Sequence, residues 1–228
     1  FEGVVTGAAD GYYRMAQRPA ATLLHLGPGL GNGLANLHNA RKAHSGIVNI
    51  VGEHAVHHLA YDAPLTADIE GVARPMSNWV HTSRSSRGVA HDGARAIEQA
   101  RTAPGRIATL ILPADTAWNP GGEVCTDEAP APRTAVDAQA LEDAARALES
   151  LAPQAGRCAL LLGGIGMMET SLAWAGRIAA RTGCAVLSEY NVPRTERGAG
   201  RVMARRVPYA VDPAGTAFGA GHVVFTQH

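Results

Sequence analysis

The feature that most constrains this chain is an alternation, run twice, of short apolar stretches with segments of helical periodicity. Residues 3–16 read as a helix of small residues, and residues 20–26 (AATLLHL) as an apolar strand that Gly27-Pro28-Gly29 breaks. Residues 32–43 (NGLANLHNARKA) place Leu34, Leu37 and Ala40 at helical spacing. Residues 46–52 (GIVNIVG) form a short β-branched strand. An amphipathic helix over 88–101 follows, then a strand over 106–112 (RIATLIL) stopped by Pro113. Strands and helices joined by short loops predict a parallel sheet covered on both faces.

From Trp118 to Arg133 (WNPGGEVCTDEAPAPR) the periodicity gives way to Pro, Gly and charge, the composition of a linker. The alternation then restarts: helix 137–150, strand 158–163 (CALLLG), helix 167–182, strand 184–188 (CAVLS). Residues 189–213 are rich in Arg, Pro and Gly and read as one irregular segment before a last strand over 221–226. The expected fold class is α/β, with two doubly wound parallel-sheet domains over 1–118 and 136–228 and a linker over 119–135. The chain opens without Met, and Glu2 stands where a strand should be ending. It stops just after an extended apolar run, so a piece of a longer protein is expected, with the first domain lacking its start and the second its end.

Composition narrows the function classes. The 228 residues are 46% hydrophobic and 18% charged, as in an ordinary globular protein. Twenty basic residues balance twenty acidic ones, which gives no electrostatic reason for a nucleic-acid or anionic-membrane partner. All basic residues but Lys42 are Arg, scattered without forming a stripe. Cys125, Cys158 and Cys184 are too few and too far apart for a disulfide framework or a CxxC site and read as free thiols. No apolar run reaches the roughly 20 residues of a membrane span, and no signal peptide opens the chain. A cytoplasmic location is the default expectation.

Three ordered motifs carry a family resemblance. Glu2 is followed by Ala8-Ala9-Asp10-Gly11-Tyr12 and Arg14; Gly27-Pro28-Gly29 is followed by Asn32; Gly52, Asp68 and Arg74-Pro75 come next. Together they resemble the thiamine-diphosphate-dependent enzymes, and within them the acetolactate synthase large subunits. The resemblance implies a truncated pyrimidine-binding domain, followed by a truncated Rossmann-like central domain. It implies thiamine diphosphate as cofactor and Glu2 as the catalytic glutamate that shares a proton with N1′ of the aminopyrimidine. Such a carboxylate is expected in an apolar pocket that raises its pKa, with Val4, Val5 and Ala8 as candidate walls. As an isolated residue, Glu2 would be read instead as an acid favoured at a helix N-terminus. Gly27, Pro28, Gly29 and Asn32 are the cofactor-binding candidates. The glycines let backbone approach the cofactor closely, and Asn32 serves the loop and the following helix.

The substrate side is expected to draw on His25, Glu53, His54, His57 and His58. His54 and His58 are four apart, but no third ligand accompanies them and no metal site is assigned. Acetolactate synthases carry Gln at the place of Glu53 and Phe-Gln at the place of Pro64-Leu65, which departs from that chemistry. Gly163-Gly164-Ile165-Gly166 follows a strand and opens a helix, and the resemblance leaves FAD open there. Arg194, Arg197, Arg201, Arg205 and Arg206 could face a phosphate or simply solvate a loop. No GDG occurs, so the resemblance puts the Mg²⁺ and diphosphate ligands in a further C-terminal domain contributed by a second identical subunit. The activity implied is decarboxylation of a small-molecule 2-keto acid, with carboligation in the acetolactate synthase manner. The alternatives are a simple 2-keto acid decarboxylase of the benzoylformate type and a non-catalytic α/β nucleotide-binding module.

Overall fold

A computed structural model describes residues 1–126, 129, 132, 135–151, 157–218 and 222–225. The chain divides into two compact units, Phe1–Arg133 and Thr134–His228. The first contains α1 (Glu2–Ala16), β1 (Ala20–Leu24), α2 (Leu26–Lys42), β2 (Ile47–Glu53), α3 (Ile69–Ala73), β3 (Trp79–Thr82), α4 (Val89–Arg101), β4 (Ile107–Pro113) and α5 (Asp115–Trp118). A 3-10 turn over Val56–Tyr61 lies between β2 and α3.

The four strands are parallel, in the order β1-β2-β4-β3. Alternation along them divides the apolar residues between two layers. Leu24, Ile47, Val51, Ile107 and Ile111 pack with Ala9 of α1, Leu30 and Leu37 of α2 and Ile69 of α3. On the other face, Val48, Ala108 and Leu110 pack with Ala96 and Ala100 of α4. Helices on both faces make the unit doubly wound.

A polar string crosses the first of these layers. Thr22, Asn49 and Thr109 are register partners on β1, β2 and β4, all buried. Thr22 Oγ1 donates to Asn49 Oδ1 at 2.8 Å, and Asn49 Nδ2 donates to Thr109 Oγ1 at 3.2 Å. Ser77 Oγ meets Thr109 Oγ1 at 2.7 Å. Each member satisfies the next, so the string fixes strand register without leaving a buried orphan.

The second unit contains α6 (Ala138–Leu151), β5 (Cys158–Leu162), α7 (Glu169–Thr182), β6 (Ala185–Ser188), β7 (Arg205–Arg206), α8 (Val211–Phe218) and β8 (His222–Phe225). Its strands are parallel in the order β7-β6-β5-β8. Leu160, Leu162, Met167, Leu172 and Ala175 form one layer with Leu148 of α6. Ala159, Leu187 and Val207 form the other, against Ala214 and Phe218 of α8. This sheet too is covered on both sides. Cys125, Cys158 and Cys184 are all free, and burial with the neighbouring Cys184 thiol pushes the Cys158 pKa up.

Several elements differ from the sequence expectation. β1 ends at Leu24, and Gly27-Pro28-Gly29 forms the first turn of α2 rather than a break before a helix at 32. β4 includes Pro113. The segment 189–213 is not uniformly irregular, since it holds β7 and the start of α8. α3, β3 and the 3-10 turn have no counterpart in the sequence reading. The expected linker lies partly outside the described residues, at 127, 128, 130, 131, 133 and 134, as do Gly221 and Thr226 at the two ends of the last expected strand.

Candidate functional site

The site begins with how α1 lies on α2. The buried face of α1 is Gly3, Thr6, Ala9 and Asp10, small or polar residues that let the two helix backbones come close. Thr6, fully buried, donates its hydroxyl to the Gly33 carbonyl at 3.0 Å, and a Cβ on Gly33 would lie 2.8 Å from Thr6 Cγ2. Asn36 Nδ2 donates to the Gly3 carbonyl at 2.6 Å. At the other end of α1, Asp10 pairs with Arg14 at 2.7 Å and accepts from Ser45 Oγ at 2.6 Å. The Asp10 and Arg14 of the sequence motif thus fix the helix, and in doing so set the position of its first residue.

That first residue is Glu2. Asn32 Nδ2 donates to Glu2 Oε2 at 3.0 Å. A Cβ on Gly29 would lie 3.4 Å from Glu2 Oε1 and 3.3 Å from His25 Cβ. Glu2, His25, Gly29 and Asn32 therefore converge at the head of α2. Leu26, buried, has φ +53°, a left-handed conformation that costs a non-glycine residue about 1–3 kcal/mol and marks a constrained turn. It reverses the chain directly between His25 and the glycines.

The electrostatics of Glu2 correct the expectation of a raised pKa. Its carboxyl is held below the ordinary value of 4.5, chiefly by its own backbone N–H and next by the Asn32 amide, against a smaller opposing effect of burial. Val4, Val5 and Ala8 do not form the expected apolar walls. Val4 is 70% exposed, Val5 and Ala8 also face outward, and with Phe1, Tyr12 and Met15 they make a continuous apolar stripe on α1.

A cavity of about 470 Å³ opens at the C-terminal ends of the strands. Glu53 at the end of β2, Thr82 at the end of β3 and Ser83 just after it, Pro113 of β4, and Ala67, Asp68 and Ile69 line it, with Arg84 at its wall. Gly27 joins it to the first cluster, because a Cβ there would lie 2.6 Å from that of Ala67. Glu53 Oε1 accepts from the His54 amide at 2.7 Å. Asp68 caps α3 by accepting from the Gly71 amide at 2.8 Å, and Glu70 accepts from Thr82 Oγ1 at 2.7 Å. The His54 and His58 rings meet tilted at 5.6 Å and His58 meets Tyr61 at 5.7 Å, a ring cluster beside the cavity rather than in its wall. His57 is exposed on the 3-10 turn. Of the substrate-side candidates, the structure brings His25 to Glu2 and Glu53 to the cavity. Among the described residues, no group of three or more His, Cys, Asp or Glu is placed to hold a metal ion. No helix among them is long and apolar enough to cross a membrane.

Thr6, Leu26, Thr82 and Arg84 escaped the sequence reading. Only Thr6 had a signal, as a hydroxyl among the small residues of a helix.

Residues 1–73, which hold the whole Glu2–Asn32 cluster, match the family described as thiamine pyrophosphate enzyme, N-terminal TPP binding domain. Residues 1–73 thus carry the N-terminal cofactor-binding domain of the thiamine-diphosphate-dependent enzymes. It is 44% identical over 231 residues to a Mycobacterium tuberculosis protein named "Putative acetolactate synthase large subunit IlvX", covering 98% of this chain and 42% of that protein. It is 32% identical over 115 residues to a benzoylformate decarboxylase of Pseudomonas aeruginosa, covering 50% of this chain and 22% of that enzyme. Its fold matches an X-ray structure described as "a putative thiamin diphosphate-dependent enzyme" from Mycobacterium smegmatis, with TM-score 0.83 and 20% identity over 98% of this chain and 43% of that one. A thiamine diphosphate-dependent 4-hydroxybenzoylformate decarboxylase from Rhodococcus jostii matches with TM-score 0.79 and 20% identity, at the same two coverages. The chain spans less than half the length of these relatives.

Proposed function

We propose that this chain supplies the pyrimidine-side wall of the active site in a thiamine-diphosphate-dependent enzyme acting on 2-keto acids, with acetolactate synthase-like decarboxylation and carboligation. The observation that carries this reading is the Glu2 carboxylate, held by Asn32 at 3.0 Å over a glycine that leaves the space beside it open. These residues fit the cofactor. A carboxylate bonded only by neutral donors keeps acceptor capacity for a ring nitrogen, and Gly27 and Gly29 keep side chains out of the approach.

When bound, thiamine diphosphate supplies a carbon nucleophile and a sink for the electrons that decarboxylation releases. The chain's own residues do the rest. Glu2 holds or releases a proton at Oε1 or Oε2, Asn32 fixes its rotamer, and the constrained Leu26 turn fixes the glycines against it. The proposal gives the apolar stripe of α1 to a second identical subunit. Covering Phe1, Val4 and Val5 would desolvate Glu2 and reverse its depressed pKa, toward the range a proton-sharing carboxyl needs. Mg²⁺ and the diphosphate then belong to that subunit's further domain. The three free cysteines suit a cytoplasmic protein.

A simple decarboxylase is the second reading. Glu53 and the Pro64-Leu65 pair, where acetolactate synthases have Gln and Phe-Gln, favour it, as does the benzoylformate decarboxylase relative. Calorimetry of the full-length protein with thiamine diphosphate and Mg²⁺ tests the shared part of both readings, since absence of binding heat would leave only a non-catalytic module. Products formed from pyruvate and from benzoylformate then separate them: acetolactate supports the first reading, free aldehyde the second.

A further inference from the structure

The second unit has a glycine loop where doubly wound sheets take dinucleotides. Residues 163–167 follow β5, the strand whose neighbours β6 and β8 are reached in opposite directions along the sheet. At such a switch point, a diphosphate rests on the glycine turn and on the N–H groups that open the next helix. The family resemblance leaves FAD open there. The side chains around the loop argue otherwise.

A Cβ on Gly163 would lie 2.2 Å from Glu189 Oε1, so the Glu189 carboxylate already lies against the open side of the loop. The first N–H of α7, that of Glu169, donates to Glu196 Oε2 at 2.6 Å. The Glu196 amide donates to the Met167 carbonyl at 3.3 Å, which pins the backbone of the 189–202 segment to the loop. Further along, Gly176 of α7 admits Val202, whose Cγ2 would be 2.4 Å from a Cβ there. Two arginines are committed as well. Arg194 pairs with Glu196 at 2.7 Å and Arg201 with Glu169 at 3.0 Å. Both are among the sequence candidates for facing a phosphate.

Glu169, Glu189 and Glu196 thus set three carboxylates around the place that a diphosphate would bring its own negative charge. We infer that Glu189 and Glu196 act as internal occupants of the anion seat in the second unit, and that this chain accepts no adenine dinucleotide there. Binding would require Glu196 to leave a backbone donor and an arginine at once, with the anion repelled by the acids that remain.

The test is a titration of the full-length protein, purified without added flavin, with FAD followed by flavin fluorescence and with ADP by calorimetry. It needs neither thiamine diphosphate nor turnover, so its result is independent of the reading of Glu2. The expected result is no saturation, with Kd weaker than about 1 mM for both probes. Glu189→Ala combined with Glu196→Gln should tighten ADP binding at least about tenfold, with a thermal melt showing the variant folded. Saturable micromolar binding of FAD or ADP by the wild type would overturn the inference. So would loss of such binding in Glu189→Ala, which would make Glu189 a ribose acceptor. If neither the wild type nor the folded variant binds, the two carboxylates are not what excludes the nucleotide. Should the double variant not fold, Glu196→Gln alone carries the same comparison.

Discussion

Two glycine segments, one forming the first turn of α2 and one ahead of α7, each follow a parallel strand, and a glutamate stands beside each. They differ in what neutralises the acid. Glu2 is held by its own backbone N–H and the Asn32 amide, and among the described residues no arginine or lysine pairs with it. Glu196 has the Arg194 guanidinium as well as a helix N–H, and the neighbouring Glu169 has Arg201. An acid bonded by neutral donors keeps its charge available for a ligand. An acid matched by arginines is part of the scaffold. Position in the topology is therefore a poor guide to chemistry unless the partners of each charge are known.

The largest effect that would break this comparison is on turnover. In the full-length protein, Glu2→Gln should lower kcat for the proposed 2-keto acid substrate by about 10²–10⁴-fold, while Glu196→Gln should leave it within about twofold. Equal losses would erase the distinction between the two acids. Next in size is Asn49→Ala, which strands Thr22 and removes a donor from Thr109, left with Ser77 alone, in the core of the first unit. Chemical denaturation should show a loss of about 2–3 kcal/mol, and a loss under about 0.5 would contradict the polar-string account.

The glycines sharpen the contrast further. Gly27→Ala brings a Cβ to 2.6 Å from Ala67 Cβ, which cannot rotate away, and should cost about 1–3 kcal/mol. Gly163→Ala meets only the end of the Glu189 side chain, which can swing clear, and should cost less than about 1 kcal/mol. The smallest effect is in titration. Asn32→Ala removes a donor to the charged form, so in a sample without a partner subunit the Glu2 pKa should rise toward 4.5. Carbon NMR of the side-chain carboxyl reads this directly. Because the folded pKa of Glu2 is depressed, its contribution to stability is present above the unfolded value and lost as pH falls through the folded one. The Asn32 variant should show a smaller acid-limb loss.

Much of the fold was legible because apolar runs at strand and helix periods leave few alternatives. Gly27-Pro28-Gly29 was misread for a reason that recurs at Pro213. A helix needs no N–H from its first turn, so Pro28 and Pro213 both sit inside helices whose beginnings they hide. α3 and β3 were missed because they are short, and because β3 is an edge strand with no fully buried residue. At the site, the spacing of Glu2 to Gly29 and Asn32 was visible, but the face that α1 buries was not. Hydrophobicity pointed to the valines. Close helix contact through Gly3, Thr6 and Gly33 buries the small-residue face instead and turns Val4 and Val5 outward. The arginine partners of Glu169 and Glu196 come from a segment without periodicity, where sequence gives no geometry.

The central claim is that Glu2 governs a proton on the cofactor, and hydrogen–deuterium exchange at thiamine diphosphate C2 measures that most directly. In the full-length protein saturated with thiamine diphosphate and Mg²⁺, exchange should be fast for the wild type and slowed by at least about 10²-fold in Glu2→Gln. Exchange that continues at the wild-type rate in a variant that still binds the cofactor would contradict the account.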